Sequence, residues 1–308
     1  MKYIVVFAFL LSLNISPAQN LLPLELTPNW LEKIKDLAPD EPTMVVDEKR
    51  DILIFSLHTG YKHWTIPHTE AVVKTIAEKS GVFNVHMSKD ISMFEPGQLD
   101  QFDAIVLNNN CSVGERRNLF WDQLKEEGSL SDEQCLEKAA ELEQNLLDYV
   151  SSGHGLMVLH GGIVMQNKSE AFGKMVGGSF DYHPKQQVIH VKPTDPSHPL
   201  LQGIDPEGFL HVDEPYLFNG AYFDYNFKPL LYMECDEIHG FRKPPEEKVR
   251  YISWIKDHGK GRVFFSSPSH NAQSMENPAL LRFFLDGLQY AVGDFPCDAT
   301  PIGKVNVP

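Results

Sequence analysis

The chain has 308 residues, 42% of them hydrophobic and 22% charged, with a formal net charge of −15. Those proportions belong to a folded globular protein with material for a sizeable core, and they exclude a disordered chain. So acidic a surface also excludes DNA and RNA as partners, because nucleic-acid binding draws most of its affinity from Lys and Arg on phosphates.

Lys2 is followed by an apolar run from Tyr3 to Leu13 and by Ser16-Pro17-Ala18 before Gln19. This is the pattern of a secretory signal peptide, residues 1–18, with an apolar core too short for a membrane span. It predicts an exported protein, periplasmic or secreted, and no Cys follows the run to carry a lipid anchor after cleavage. The four cysteines, Cys111, Cys135, Cys235 and Cys297, fit no disulfide framework and no CxxC unit, so buried thiols are expected.

Residues 19–49 are rich in Pro and charge, with one helix expected around Trp30 to Leu37; they read as a leader that packs on the domain that follows. Residues 50–294 form that single domain. Asp51 to Leu57 is a strand, Ile66 to Lys79 has helical spacing and is stopped by Gly81, and Val82 to Met87 and Asp103 to Leu107 are two further strands. Strand, helix, strand predicts a parallel sheet. Glu115 to Val150 reads as a helical insertion, broken near Gly128-Ser129 and restarted at Ser131, where Ser-Asp-Glu-Gln offers a capping box. Leu156 to Leu159 is a buried strand, and Phe172 to Val176 is a helix ending at Gly177-Gly178.

From there to Asn226 the sequence is turn-rich and predicts one strand, Gln187 to Lys192. Leu230 to Glu234, Arg250 to Ile255 and Arg262 to Ser266 are the last strands, and Pro278 opens a final helix to Ala291. Residues 295–308 are a tail. The expected fold class is α/β: a doubly wound, mostly parallel sheet flanked by helices, of flavodoxin-like architecture.

In such sheets ligands bind outside the carboxyl ends of the strands. Thirteen histidines are present, and several fall there: His58 and His63 after the first strand, His160 directly after Leu159, and His270 after the last strand. Any one of them could be a structural residue; the set His63, His160 and His270 converging on one edge points to a site. His160-Gly161-Gly162 occupies the place of a nucleophile elbow, but with His where an acyl-transfer enzyme has Ser or Cys. Cys111 follows a different strand and is read as a structural thiol. His68, His86, His190, His239 and His258 are read as surface or structural, and His198 as holding its turn.

Several motifs in order carry a resemblance: Gly60-Tyr61-Lys62-His63 with Ile66-Pro67, Leu159-His160-Gly161, Gly177-Gly178-Ser179-Phe180 with His183-Pro184, Asp195 to Pro199, Asp213-Glu214, and Gly261-Arg262-Val263 leading to Ser269-His270. From about Asp51 to Gly293 the chain resembles the trehalose-utilisation, or ThuA-like, family. The resemblance implies a class I glutamine amidotransferase-like fold without that fold's catalytic Cys. It also implies a role in catabolism of trehalose and related disaccharides, in pathways where a partner oxidoreductase makes a 3-keto sugar. The chain departs from the family pattern in the 115–150 insertion, in Pro215 where an aromatic is common, and in the loop from Cys235 to Lys248.

The matched positions make His63, His160, Glu214 and His270 the expected catalytic residues. His63, His160, His183 and His270, with Glu214 or Asp213, suit a divalent metal, Zn or Mn, since both take imidazole and carboxylate ligands. Tyr61, Trp64, Asn108, Phe180, Asp213 and Tyr216 are the expected substrate contacts, the aromatic ones through the C–H faces of a sugar ring. No nucleotide is expected. The reading is an enzyme of lyase or isomerase type on a keto-sugar or 3-keto-glycoside, with a non-catalytic carbohydrate-binding protein or a metal-dependent hydrolase as alternatives. A two-carboxylate glycosidase is disfavoured because adjacent Asp213 and Glu214 point apart in an extended chain. The expected partners are a small carbohydrate and, through an edge near the insertion, a second copy of the chain.

Overall fold

Apolar runs of strand length alternating with helical periodicity produce a single nine-stranded sheet with helices on both faces. The structure is a computed structural model and describes residues 21–112 and 114–304; the expected signal peptide lies outside the described residues. In order the chain forms α1 (Pro28–Leu37), β1 (Arg50–Phe55), α2 (Ile66–Ser80), β2 (Phe83–Ser88), β3 (Ala104–Asn108), α3 (Leu119–Glu127), α4 (Asp132–Ser152), β4 (Gly155–Leu159) and α5 (Glu170–Val176). It continues through β5 (Ser179–Tyr182), β6 (Gln187–Pro193), β7 (Phe209–Asp213), β8 (Leu217–Asn219), β9 (Lys228–Glu234), β10 (Val249–His258), β11 (Gly261–Ser266) and α6 (Pro278–Val292).

The sheet order is β2-β1-β3-β4-β11-β10-β9-β6-β7, and β5 pairs with β8 in a separate two-stranded ribbon. From β2 to β11 the strands are parallel. From β11 outward each strand reverses its neighbour. All residues of β3 and β4 are buried, as expected where helices cover both faces. Alternation divides the core in two. Ile52, Ile54, Val106, Met157 and Phe264 pack with α1, α2 and α6. Leu53, Phe55, Leu107, Val158 and Phe265 pack with α3, α4 and α5. The contact between α6 and the sheet is close: a Cβ on Gly155 would lie 2.4 Å from the Ala291 carbonyl oxygen, and one on Gly287 2.5 Å from the Phe264 ring.

The helical insertion is two helices, and it begins later than its composition predicts. Residues 115–117 do not join α3, because Asn118 caps that helix by accepting from Trp121 N at 2.8 Å. The Ser131 capping box opens α4 as expected. The larger difference lies between Gly177 and Asn226, which holds β5, β7 and β8 as well as β6. The ribbon strands have only four and three residues, too few for a period to register, and in β7 the buried positions include the polar His211 and Asp213. A strand whose inward face is polar does not read as apolar-in, polar-out. Residues 21–49 run over the α2 and α6 side, where Trp30 and Ile34 are buried and Thr43 N donates to Gln289. All four cysteines are free thiols, three of them buried.

Lys256 on β10 is 3% exposed and donates to the Lys174 carbonyl in the last turn of α5. Burial outweighs the nearby Asp257 and Asp224 and pushes its ammonium down to about 8 from an ordinary 10.5. Between those two values the unfolded chain binds more protons than the folded one, so this residue's contribution to stability rises with pH across that window. From pH 7 to 10 the wild type should gain about 2 kcal/mol relative to Lys256→Met in denaturant unfolding. A constant difference between the two proteins across that range would remove Lys256 as the cause.

Candidate active site

The sharpest feature of the backbone lies where β4 ends. His160 follows it with φ +45°, in the left-handed region, and opens a 3₁₀ turn, His160–Val164. A residue with a Cβ pays roughly 1–2 kcal/mol for that conformation. The next residue must be Gly: a Cβ on Gly161 would stand 2.7 Å from Cys111 Sγ and 3.0 Å from His63 Cε1. Asn109, just past β3, is also left-handed at φ +54°, and its Oδ1 accepts from Gly161 N at 3.2 Å. Two adjacent strand ends are thereby tied into one tight platform under the imidazoles.

Four side chains meet above it. His160 donates through Nδ1 to the Ser267 carbonyl at 2.7 Å, which leaves Nε2 to face the cluster. That Nε2 lies 3.2 Å from His270 Nδ1 and 3.3 Å from Glu214 Oε2, and His270 Nδ1 is 3.2 Å from the same oxygen. The His63 ring stands edge-on to both, at centroid distances of 5.1 and 5.2 Å. One donor atom from each of His63, His160, Glu214 and His270 lies within 4.8 Å of every other.

Charge follows from this packing. Burial alone would raise the Glu214 carboxyl, but its close contacts with the His160 and His270 imidazoles outweigh it and hold Glu214 well below the usual carboxylate range. For His270 the balance is mirrored: burial disfavours the cation, and the bond to Glu214 raises it above the ordinary value. His63 is driven well down by burial and by its two histidine neighbours, so it stays neutral. Burial pushes the Cys111 thiol up to about 12, so the sulfur keeps its hydrogen. Cys111 Sγ lies 3.7 Å from both His63 Nδ1 and the Gly161 carbonyl. The carbonyl can only accept, so the thiol hydrogen goes there and the sulfur accepts from His63 Nδ1–H. His63 Nε2 is then the nitrogen with a free lone pair.

Asp213 holds the frame. It is buried, it accepts from the backbone N–H groups of Ser269 and His270 at 3.1 and 3.2 Å, and its other oxygen accepts from Glu214 N at 2.7 Å. His211, two residues back on the same face of β7, pairs with it. Burial would raise the Asp213 carboxyl, but the His211 partner more than offsets this and the net shift is downward.

Of the other expected contacts, Tyr216 packs 4.2 Å from the His160 ring and Phe180 lies on Tyr216 at 4.7 Å. Tyr61, 64% exposed, stands edge-on to His63 at 4.7 Å. His183 is outside the four: its Nε2 is 3.6 Å from Glu214 Oε1, while its Nδ1 bonds the Pro184 carbonyl. Trp64 turns instead to the core beside His68, and the Asn108 amide donates to Ser56 Oγ and the Ile66 carbonyl. Sequence reasoning passed over His211 and Asn109 and gave Cys111 no part in the site. The His-x-Asp spacing of His211 and Asp213 was the available signal for the first, since residues two apart in a strand share a face.

The ThuA family, described as trehalose utilisation, matches residues 51–291, and the chain belongs to that family. The membership points to a role in sugar metabolism. Among solved structures the chain is similar to a ThuA-like protein from Parabacteroides merdae, with 18% identity, TM-score 0.58, and coverage of 80% of this chain and 91% of that one. A ThuA-like protein from Bacteroides uniformis follows, with 14% identity, TM-score 0.56 and coverage of 81% and 94%. A cytoplasmic protein of Salmonella typhimurium shares the fold at 12% identity and TM-score 0.50, with coverage of 82% and 99%. No curated protein matches the sequence.

Gly161→Ala should place a methyl against Cys111 and His63 and destabilise the protein by about 1–3 kcal/mol, the usual range for overpacking. The His63 and His160 ring resonances should shift with it. Unchanged urea midpoint and unchanged ring signals would mean the platform is looser than described.

Proposed function

We propose that this chain processes an oxidised sugar, a keto-sugar or 3-keto-glycoside, by isomerisation or by elimination of the glycosidic substituent. The observation that carries the reading is the triangle of Glu214 Oε2, His160 Nε2 and His270 Nδ1, with sides of 3.2 to 3.3 Å, accompanied by His63. This donor set fits a divalent cation such as Zn or Mn: tetrahedral ligands bound at about 2.0–2.1 Å lie about 3.3–3.4 Å apart. The second nitrogens of His160 and His63 are occupied by Ser267 and Cys111, as metal-binding imidazoles require. A bound cation would supply Lewis acidity at the ketone oxygen and so acidify the neighbouring carbon.

The remaining work falls to the chain's own groups. In this reading His183, its side chain 35% exposed and 3.6 Å from Glu214 Oε1, takes the proton from that carbon. Glu214 Oε1 then stabilises the imidazolium, which returns the proton to the adjacent carbon in isomerisation or to the departing glycosidic oxygen in elimination. Tyr61, edge-on to His63, and Phe180, beside His183, offer aromatic surface to the sugar's C–H faces. Asp213 keeps Glu214 and His270 in register through three backbone bonds. Acyl transfer through a thiolate has no support, because Cys111 is buried and firmly protonated. The sugar part of the reading is supported by family membership. Export rests on the sequence pattern of residues 1–18 alone.

Elemental analysis of the purified chain should find about one divalent ion per molecule, lost in His63→Ala/His160→Ala. Protein that takes up no metal after incubation with Zn or Mn would sink the metal-assisted route. Turnover should then appear with 3-keto-glycosides and fall away in His183→Ala; binding of sugars without turnover of any keto-glycoside would replace the enzyme by a carbohydrate-binding protein. Cys111→Val should weaken metal affinity about 10- to 100-fold, the usual effect of removing an outer partner, and Cys111→Ser should largely retain it. Equal affinities for the two variants would dismiss the sulfur as an acceptor.

A further inference from the structure

The segment from Leu21 to Trp30 lies outside the stretch 51–291 that carries the family match, yet it touches each of the loops that present His63, His183 and His270. Leu21 N donates to Gln186 Oε1 at 3.3 Å. Gln186 lies on the loop that leaves His183, and the next residue, Gln187, pairs with Asp213 between β6 and β7. The Leu22 carbonyl accepts from Gln273 Nε2 at 2.8 Å, and Trp30 Nε1 donates to Glu276 Oε1 at 2.9 Å. Both partners belong to the 3₁₀ turn Ala272–Glu276, just past His270. The third tie is aromatic. His68, in the first turn of α2, stands edge-on to Trp30 at 4.9 Å and to Trp64 at 5.2 Å, and Trp64 directly follows His63.

The sheet fixes where β1, β5 and β11 end, but not how far apart the loops beyond them stand. A site assembled from loops needs ties between them to hold its donor atoms in place. Residues 21–27 supply such ties without being part of the sheet: they form neither helix nor strand, and Leu22 is 81% exposed. Leu24 packs against the α2 and α6 core, and α1 follows as a firmer base with Trp30 and Ile34 buried. A segment held by a few side-chain bonds and little buried area opens well below the free energy of global unfolding.

We propose that residues 21–30 are a positioning strap, which ties the loops of His63, His183 and His270 together and so preorganises the histidine centre. Gln186 and Gln273 are its positioning residues, each acting through the loop that bears it. The inference rests on the reading of His63, His160, Glu214 and His270 as a ligand site, and adds that the affinity of this site depends on a segment that contributes no ligand to it.

Hydrogen exchange and zinc titration of the full chain test this together. In Gln186→Ala/Gln273→Ala, exchange in residues 60–68, 183–187 and 270–276 should speed by about tenfold, the effect of losing two hydrogen bonds that hold a local structure closed. Zinc affinity should fall by about three- to tenfold in the same variant, because less of the protein has its donors in place. Thr43→Ala is the control: it cuts a bond between the same leader and Asp286 on α6, and should lower the thermal midpoint while leaving both readouts unchanged. Unchanged exchange in the double variant would overturn the strap, as would equal acceleration in Thr43→Ala. Faster loops with wild-type zinc affinity would overturn its positioning role. If the wild type takes up no zinc, the metal reading fails alone and the ring resonances of His63 and His270 decide the strap: they should shift in the double variant and not in Thr43→Ala, and unmoved signals would overturn it.

Discussion

A half-buried carboxylate set among imidazoles is the constraint on which the rest of this structure turns. Glu214 shares one oxygen between His160 and His270 and presents the other to His183. Removing such a charge from water is costly unless positive charge or hydrogen-bond donors surround it, and the cost of leaving it unpaired is several kcal/mol. Every nearby group answers to that requirement. Asp213 accepts from Glu214 N and from the backbone that carries His270, the Ser267 carbonyl orients His160, and the left-handed turn at His160 brings its ring over the platform.

Topology explains how four distant segments reach one place. His63, His160 and His270 leave the carboxyl ends of β1, β4 and β11 or the loops just after them, and these strands are parallel. Glu214 comes from β7 at the far edge of the sheet. Between β11 and β7 the direction reverses four times, so β7 runs the same way as β11 and delivers its carboxyl end to the same edge. An extension with an odd number of reversals would have sent Glu214 to the opposite side.

The parallel half of the fold was legible because its central strands β3 and β4 are apolar runs buried on both faces, with helices of plain 3.6-residue periodicity beside them. The antiparallel half was less so. Strand β7 escaped because the residues it buries, His211 and Asp213, are polar, and β5 and β8 escaped because they are too short to show a period. The histidines after the parallel strands could be picked out by position alone. Trp64 and Asn108 show the limit of that reasoning: they neighbour the right loops, yet one faces the core and the other hydrogen-bonds strand ends together.

By itself the sequence determined the α/β class, the strand ends that carry His63, His160 and His270, and the replacement of a nucleophile by His160, since each follows from local periodicity and from which residue comes next. The tertiary structure alone decided that Glu214, and not His183, completes the four-residue cluster, that Asp213 serves the backbone, and that Cys111 sets the tautomer of His63. Those outcomes depend on distances between segments far apart in the chain, set by strand direction, sheet order and close packing, and no pattern within a short stretch of residues encodes them.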